Sequence, residues 1–443
     1  MPELLPPRVL SPSESVFVVS GATVAQHCYG TGTLDDAALA DALAGLVDLY
    51  PLLGGRIRMS RNGFELRFDP RARPAVIVQD VGDVDVGDYV VAGKSALPLG
   101  QVCALRVYRS GAKFRVTFLL HHAIADADAA MAYLHDMWKL YAERVRRVNG
   151  VVRLVSAPPP RPVPASAETL LRARGYAEPV SRPIMDLRPA YRGPESIWTA
   201  LRPRRARRAR LHLSVEQTDR LLDVGRAQGV TLNGLVSAAL ALAERELSGR
   251  SELSVAISSF VNLRSRIDPP VAATAGTNVL GIAEMILDVS RGSDALDLAR
   301  RVVADIHDGL RTTRIHDTAF VRGDIRRVLS LVRRYFLLVP TAGLVPTFTA
   351  IQVTNWGRVS EFATPEGVDI HDFRCGVELH PMSAFIATRG IAMVEGRIYF
   401  VTSYNGRLSI DFTDLVTATS SARRVEQILH DEIEKLLPAK VFE

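Results

Sequence analysis

Two adjacent histidines, His121 and His122, with Asp126 four residues after the second, are the side chains of this chain best suited to moving a proton. An imidazole titrates near pH ~6.5, so at neutral pH it can accept a proton and return it. Both histidines close the run Phe114-Arg115-Val116-Thr117-Phe118-Leu119-Leu120, whose β-branched and aromatic residues predict a buried strand. A strand end holds a side chain at a fixed point, which proton transfer requires. Successive strand residues face opposite sides, so the two histidines need not share one role. The plainer reading is a satisfied core histidine beside a helix-capping aspartate.

The elements that would position these groups are legible around them. Ala130, Met131, Leu134, Met137, Trp138 and Tyr141 recur at helical spacing and predict a helix from Asp126 to about Asn149. Upstream, 35–49 reads as an amphipathic helix with Asp35 and Asp36 in its first turn, stopped by Pro51 and Gly54-Gly55. Arg56 to Phe68 alternates around Asn62-Gly63, a hairpin signal, and Leu105 to Leu120 holds two strands around Ser110-Gly111. Pro158 to Pro164 predicts an extended linker. Beyond it, Arg208 to Leu213 alternates as a half-exposed strand, and Ser214 to Gln217 is a capping-box pattern. Thr231 to Leu247 reads as a helix, and Leu253 to Val261 as a strand that delivers Arg264. The second half thus repeats the kinds of element in the first. The class is α/β (α+β), divided as 1–155, a crossover at 156–200, and 201–443.

At 443 residues, 47% hydrophobic and 23% charged, the chain is long enough for two cores and ordinary in composition. Cys28, Cys103 and Cys375 lie far apart with no paired spacing, which predicts neither a disulfide framework nor a metal site. The N-terminus lacks a basic segment leading into an apolar one, and no apolar run approaches the ~18 residues of a membrane span. A cytoplasmic location is expected. The net charge of +6 suits an anionic partner without specifying one, and no nucleic-acid motif is present. No Gly-x-Ser-x-Gly elbow points to a serine nucleophile.

His121-His122-Ala-Ile-Ala-Asp126 resembles the HHxxxDG motif of the CoA- and carrier-protein-dependent acyltransferases, which include chloramphenicol acetyltransferase and the condensation domains. The polyketide-associated acyltransferases, of the phthiocerol dimycocerosyl transferase type, are the nearest match. Leu10-Ser11-Pro12-Ser13-Glu14 resembles their opening, and Tyr50 to Arg56 their early turn. Val261-Asn262-Leu263-Arg264 resembles their Val-Asp-Leu-Arg, and Gly276-Thr277-Asn278-Val279-Leu280-Gly281 their Thr-Asn-Leu-Leu-Gly. Thr354-Asn355-Trp356-Gly357 lies where relatives carry an Asn-x-Gly type turn. The chain departs from the pattern at Ala127, where the motif has glycine, and at Asn262, where the family has aspartate.

This resemblance implies two similar lobes in one chain, with a channel between them, and an O-acyltransferase that is expected to work as a monomer. His122 is the implied general base, with direct attack of a hydroxyl on a thioester and no acyl-enzyme. His121 is a packing group in its own lobe. Asp126 pairs with Arg264 as architecture, Arg266 being the second choice of partner. Asn355, Trp356 and the Gly357 amide are candidates for the oxyanion, and Asn278 for positioning substrate or bracing the channel. Arg205, Arg208 and Arg210, in a basic run, are either a solvated face or a dock for phosphopantetheine, the CoA 3′-phosphate or an acidic carrier protein. The stretch Leu329 to Thr349 is core, a pocket lining for an acyl chain, or a lid. The implied co-substrate is an acyl-CoA or an acyl group on a phosphopantetheine arm, with no permanently bound cofactor and no metal. The implied partners are a polyketide or lipid acceptor and an acyl carrier protein or polyketide synthase. The alternatives are an amide-forming condensation enzyme and an inactive carrier-protein- or lipid-binding module of the same fold.

Overall fold

The computed structural model describes residues 5–69, 73–82, 97–98, 100–148, 159–179, 207–320, 349–379, 395–414 and 422–437. The first half runs β1 (Arg8–Val9), α1 (Pro12–Ser20), β2 (Ala22–Thr31), α2 (Asp36–Leu49), β3 (Gly55–Ser60), β4 (Gly63–Phe68) and β5 (Ala75–Asp80). It continues with β6 (Cys103–Ser110), β7 (Lys113–His121), α3 (Ala127–Val148) and α4 (Ala167–Arg172). Local signals account for most of these boundaries. Ser11 and Glu14 close a capping box at the start of α1, which ends at Gly21 in the left-handed conformation. Asp35 caps α2 by accepting from the Ala38 amide. β3 and β4 form the hairpin expected around Asn62-Gly63, and β6 and β7 the one around Ser110-Gly111. Leu39, Leu43 and Leu46 of α2 meet Met137, Trp138 and Tyr141 of α3 in a core laid against β2 and β7.

The second half contributes β8 (Arg207–His212), α5 (Val215–Gln228), α6 (Leu232–Ser248), β9 (Glu252–Asn262), β10 (Leu280–Ser290), α7 (Ala295–Arg311) and α8 (Arg314–Asp317). Then come β11 (Thr349–Val359), β12 (Asp369–Leu379), β13 (Glu395–Tyr404), β14 (Arg407–Asp414) and α9 (Ala422–Glu434). The expected capping box at Ser214 and Gln217 starts α5. A second core packs α6, buried along nearly its whole length, against a six-stranded sheet ordered β10-β9-β11-β13-β14-β8. Two lobes, each a sheet with helices over one face, therefore stand in one chain.

The expected second unit, 201–443, needs one correction. β12 lies within that span, yet it pairs antiparallel with β2 and forms the edge of the first lobe's sheet, ordered β12-β2-β7-β6-β5. The reason is geometric. β11 and β13 are parallel neighbours, and parallel neighbours need a crossover between them. Here the described part of that crossover is itself a strand, and it completes the other lobe's sheet. An alternating pattern reports that a segment is a strand but not which sheet receives it. Most of the Leu329 to Thr349 stretch lies outside the described residues.

Candidate active site

β7 ends at His121, and the chain turns through His122 to Asp126 before entering α3. The turn is held from both sides. The His122 amide donates to the Ala22 carbonyl of β2 at 2.9 Å, and the Asp126 amide to the Thr277 carbonyl of the second lobe at 2.9 Å. Asp126 caps α3 by accepting from the Ala129 amide at 3.1 Å. Its other oxygen accepts from Arg264 at 2.6 Å and from the Val279 amide at 2.9 Å. Asp126 and Arg264 are 3% and 4% exposed, so this is a fully desolvated pair. Arg264 also donates to the carbonyls of Ala273 and Gly276. Arg266, the second choice, is exposed.

Both departures from the motif have a local explanation. Ala127 is the first residue of α3 and has no positive φ, so its Cβ causes no backbone strain. Asn262 donates its Nδ2 to Asp128 while its Oδ1 accepts from the Arg264 amide at 2.9 Å. An aspartate there would set two carboxylates against each other, and burial already raises the Asp128 pKa.

The His122 ring lies flat on Phe17 of α1, with centroids 4.0 Å apart and planes 2° from parallel. Asn278 reads the histidine twice. Its Nδ2 donates to the His122 carbonyl at 2.8 Å, and its Oδ1 lies 3.2 Å from the ring Nδ1. Because Nδ2 is committed to the carbonyl, Oδ1 faces the ring as an acceptor. Nδ1 therefore carries the hydrogen in the neutral ring, and Nε2 keeps the lone pair. Burial lowers the His122 pKa, opposed by backbone hydrogen bonding and by Asp126 and Asn278. Burial and then the neighbouring His122 push His121 down to about 4. His121 accepts from the Ala123 amide through Nδ1 at 3.1 Å, which fits a structural part. Both rings remain only half-buried.

α1 is an unanticipated contributor. Besides Phe17, it supplies buried Glu14, which accepts from Thr277 Oγ1 at 2.7 Å and pairs with Arg8 at 2.7 Å. The Ser11 to Glu14 capping pattern is visible in the sequence. Nothing local marks Phe17 as a neighbour of His122, because the contact spans 105 positions of chain.

The Asn355-Trp356-Gly357 segment is corrected from a turn to a bulge inside β11, where the pairing with β13 shifts register between Asn355 and Gly357. Gly357 has φ of +69°, the conformation a turn glycine would also adopt. Its amide donates to Asn355 Oδ1 at 2.8 Å, and Trp356 packs on the first lobe's core near Phe373. The bulge amide is thus engaged within its own segment. Arg205 lies outside the described residues, and Arg208 lies on β8. Arg210 donates to Asp372 of β12 at 2.6 Å and is a bridge between the lobes, not a free surface cation.

Known proteins share this architecture and sequence. Residues 202–413 match the model of the phthiocerol/phthiodiolone dimycocerosyl transferase C-terminus. A phthiocerol/phthiodiolone dimycocerosyl transferase of Mycobacterium sp. (strain JLS) is 30% identical over 317 residues, 68% of this chain and 74% of that protein. Polyketide synthase associated protein 5 from Mycobacterium tuberculosis superposes with a TM-score of 0.70 at 22% identity, covering 98% of each chain. The first condensation domain of the calcium-dependent antibiotic synthetase follows at 0.60 and 15% identity, covering 98% of this chain and 97% of that one. With the identity, the coverage and the two-lobed fold all agreeing, the chain belongs to the phthiocerol/phthiodiolone dimycocerosyl transferase family and is an acyltransferase.

Proposed function

We propose that this acyltransferase moves an acyl group from a phosphopantetheine thioester, on coenzyme A or a carrier protein, to a hydroxyl of a polyketide- or lipid-like acceptor. The observation that carries the proposal is the pair of contacts Asn278 makes with His122, one to its carbonyl and one at the ring Nδ1. With Nδ1–H held by Asn278, Nε2 is left as the base. The hydroxyl gives its proton to Nε2 as its oxygen bonds to the thioester carbon. The tetrahedral intermediate then expels the thiolate, which takes the proton back from Nε2–H. One histidine serves both half-steps, so no net proton is gained or lost.

Direct attack is favoured because none of the three cysteines is a candidate nucleophile. All are buried, and burial pushes the Cys28 thiol up to about 12 and the other two well above the ordinary range. Among the described residues the His122 ring is hydrogen-bonded to an amide side chain and to backbone, not to a hydroxyl or thiol. The names of the relatives, dimycocerosyl transferases of phthiocerol and phthiodiolone, support a lipid-like acceptor.

The test is thiol release from acetyl-, butyryl- and longer acyl-CoAs with simple alcohols, beside His122→Ala. Alcohol-dependent release is expected to fall about 10²- to 10⁴-fold in a variant that stays folded by circular dichroism. Release that survives intact in the variant would remove His122 as the base.

A further inference from the structure

Exposed apolar side chains are unevenly spread over the molecule. Among the described residues seven large ones are exposed, and three of them, Leu5, Val9 and Met59, belong to the small sheet β1-β4-β3 and the segment leading into it. Met59 is 80% exposed, the most open of the seven. It pairs across the β3–β4 hairpin with half-buried Phe64, one step beyond the buried pair Ile57 and Leu66.

Arginines surround this apolar end. Gly55 to Phe68 holds four arginines and one glutamate, so half of the chain's net charge of +6 sits on one hairpin. The register sets Arg58 beside Glu65 and Val9, and Arg56 beside Arg67, all on one face, with Arg61 in the turn. Glu65 is taken by Arg67 at 3.2 Å. Arg56, Arg58 and Arg61 form no ion pair with a described residue, and Arg58 and Arg61 are exposed.

The unit is held in place. Ile57 and Leu66 root it in the first core. The Ile57 amide donates to the Gly100 carbonyl, and the Leu10 amide to the Phe64 carbonyl, both at 2.8 Å. Ser60 Oγ donates to the Gly63 carbonyl at 3.0 Å and accepts from the Asn62 amide at 3.1 Å, which fixes the turn. Met59 and Arg61 are thus presented without an ordering cost. Charge on an edge strand can serve only to keep sheets from pairing. Arginine suits that purpose, but an open methionine beside it works against it. An apolar tip ringed by guanidinium groups instead matches the layers of an anionic bilayer, phosphate outside and hydrocarbon beneath.

We propose that the β3–β4 hairpin docks the enzyme on an anionic lipid surface, with Met59 entering the acyl boundary and Arg56, Arg58 and Arg61 on the headgroup phosphates. Docking there would bring the enzyme to the phase in which a lipid-like acceptor dissolves, and it requires nothing of the chemistry at His122. Co-sedimentation of the full chain with phosphatidylcholine vesicles, with and without phosphatidylglycerol, tests it. Binding is expected only to the anionic vesicles and should weaken as salt is raised. The double variant Arg58→Glu, Arg61→Glu is expected to lower the partition coefficient at least about twentyfold, from about fivefold for each arginine near the surface. Met59→Ser, which changes no charge, is expected to lower it about three- to tenfold. Thiol release from a soluble acyl-CoA and alcohol should be unchanged in both chains.

Equal binding to neutral and anionic vesicles, or binding to neither, would overturn the proposal. So would anionic binding that ignores Met59→Ser, since charge attraction alone would then account for it. If the arginine variant instead halves the mass measured by light scattering without vesicles, the face is a contact with a second copy and the membrane assignment fails.

Discussion

With His122 in its proposed role as base, its contacts with Asn278 make the acid limb of the reaction predictable. In that proposed role the neutral ring is the working form, and burial holds its pKa below the ordinary ~6.5. The neutral base therefore survives mild acid, and kcat/KM should fall only as pH drops below about 6.5. Asn278 is one of the groups that raise the His122 pKa. Asn278→Ala should move the acid limb to still lower pH and reduce kcat about three- to tenfold, the worth of one hydrogen bond. Asn278→Asp should move the limb upward instead, since a carboxylate stabilises the imidazolium. A residue that merely fills space would shift neither limb, so the two pH profiles decide the point. The candidate base was legible in the sequence because the motif is six consecutive residues. Its tautomer was not, because the deciding amide lies 156 positions away and is fixed by a carbonyl bond that no local pattern records.

At the scale of elements, the apparatus is a strand end, a helix N-terminus and a loop from the other lobe, bound together through Asp126. That single carboxylate caps α3, receives the Val279 amide and neutralises Arg264. Asp126→Ala would leave a buried guanidinium unpaired and two amides without an acceptor. The expected loss is about 3–5 kcal/mol in urea unfolding, with activity falling along with the folded fraction. A variant of near-normal stability and lost activity would instead point to direct participation in the chemistry. The elements themselves were mostly legible. β7, α2, α3, α6 and β9 follow their periodicities and caps to within a residue or two, and α5 starts at its expected cap. Asn355-Trp356-Gly357 misled, because a bulge glycine and a turn glycine answer to the same positive φ. Pairing on both sides, with β9 and with β13, is a property of the sheet and has no local signature.

Across the whole molecule, the lobes are joined at every level from covalent path to buried charge. β12 leaves the second sheet, completes the first, and the chain returns as β13. Phe400 and Tyr404 of β13 pack in the first lobe's core, and the Tyr404 hydroxyl donates to the Ile370 carbonyl of β12 at 2.9 Å. Glu14 with Thr277, Asp126 with Arg264 and Arg210 with Asp372 cross between the lobes in largely desolvated settings. Unfolding either lobe alone would strip an edge strand from a sheet and strand these charges without partners. The two lobes should therefore unfold together, although each has its own core. Urea transitions followed by tryptophan fluorescence of a Trp198→Phe chain, which reports Trp138 and Trp356 on the first core, and by far-ultraviolet circular dichroism, which reports both lobes, are expected to coincide. Separated midpoints would mean that the lobes are independent. In that case Asn278 could part from His122 while both lobes stay folded, and the tautomer that defines the base would depend on a docking equilibrium instead of on the fold.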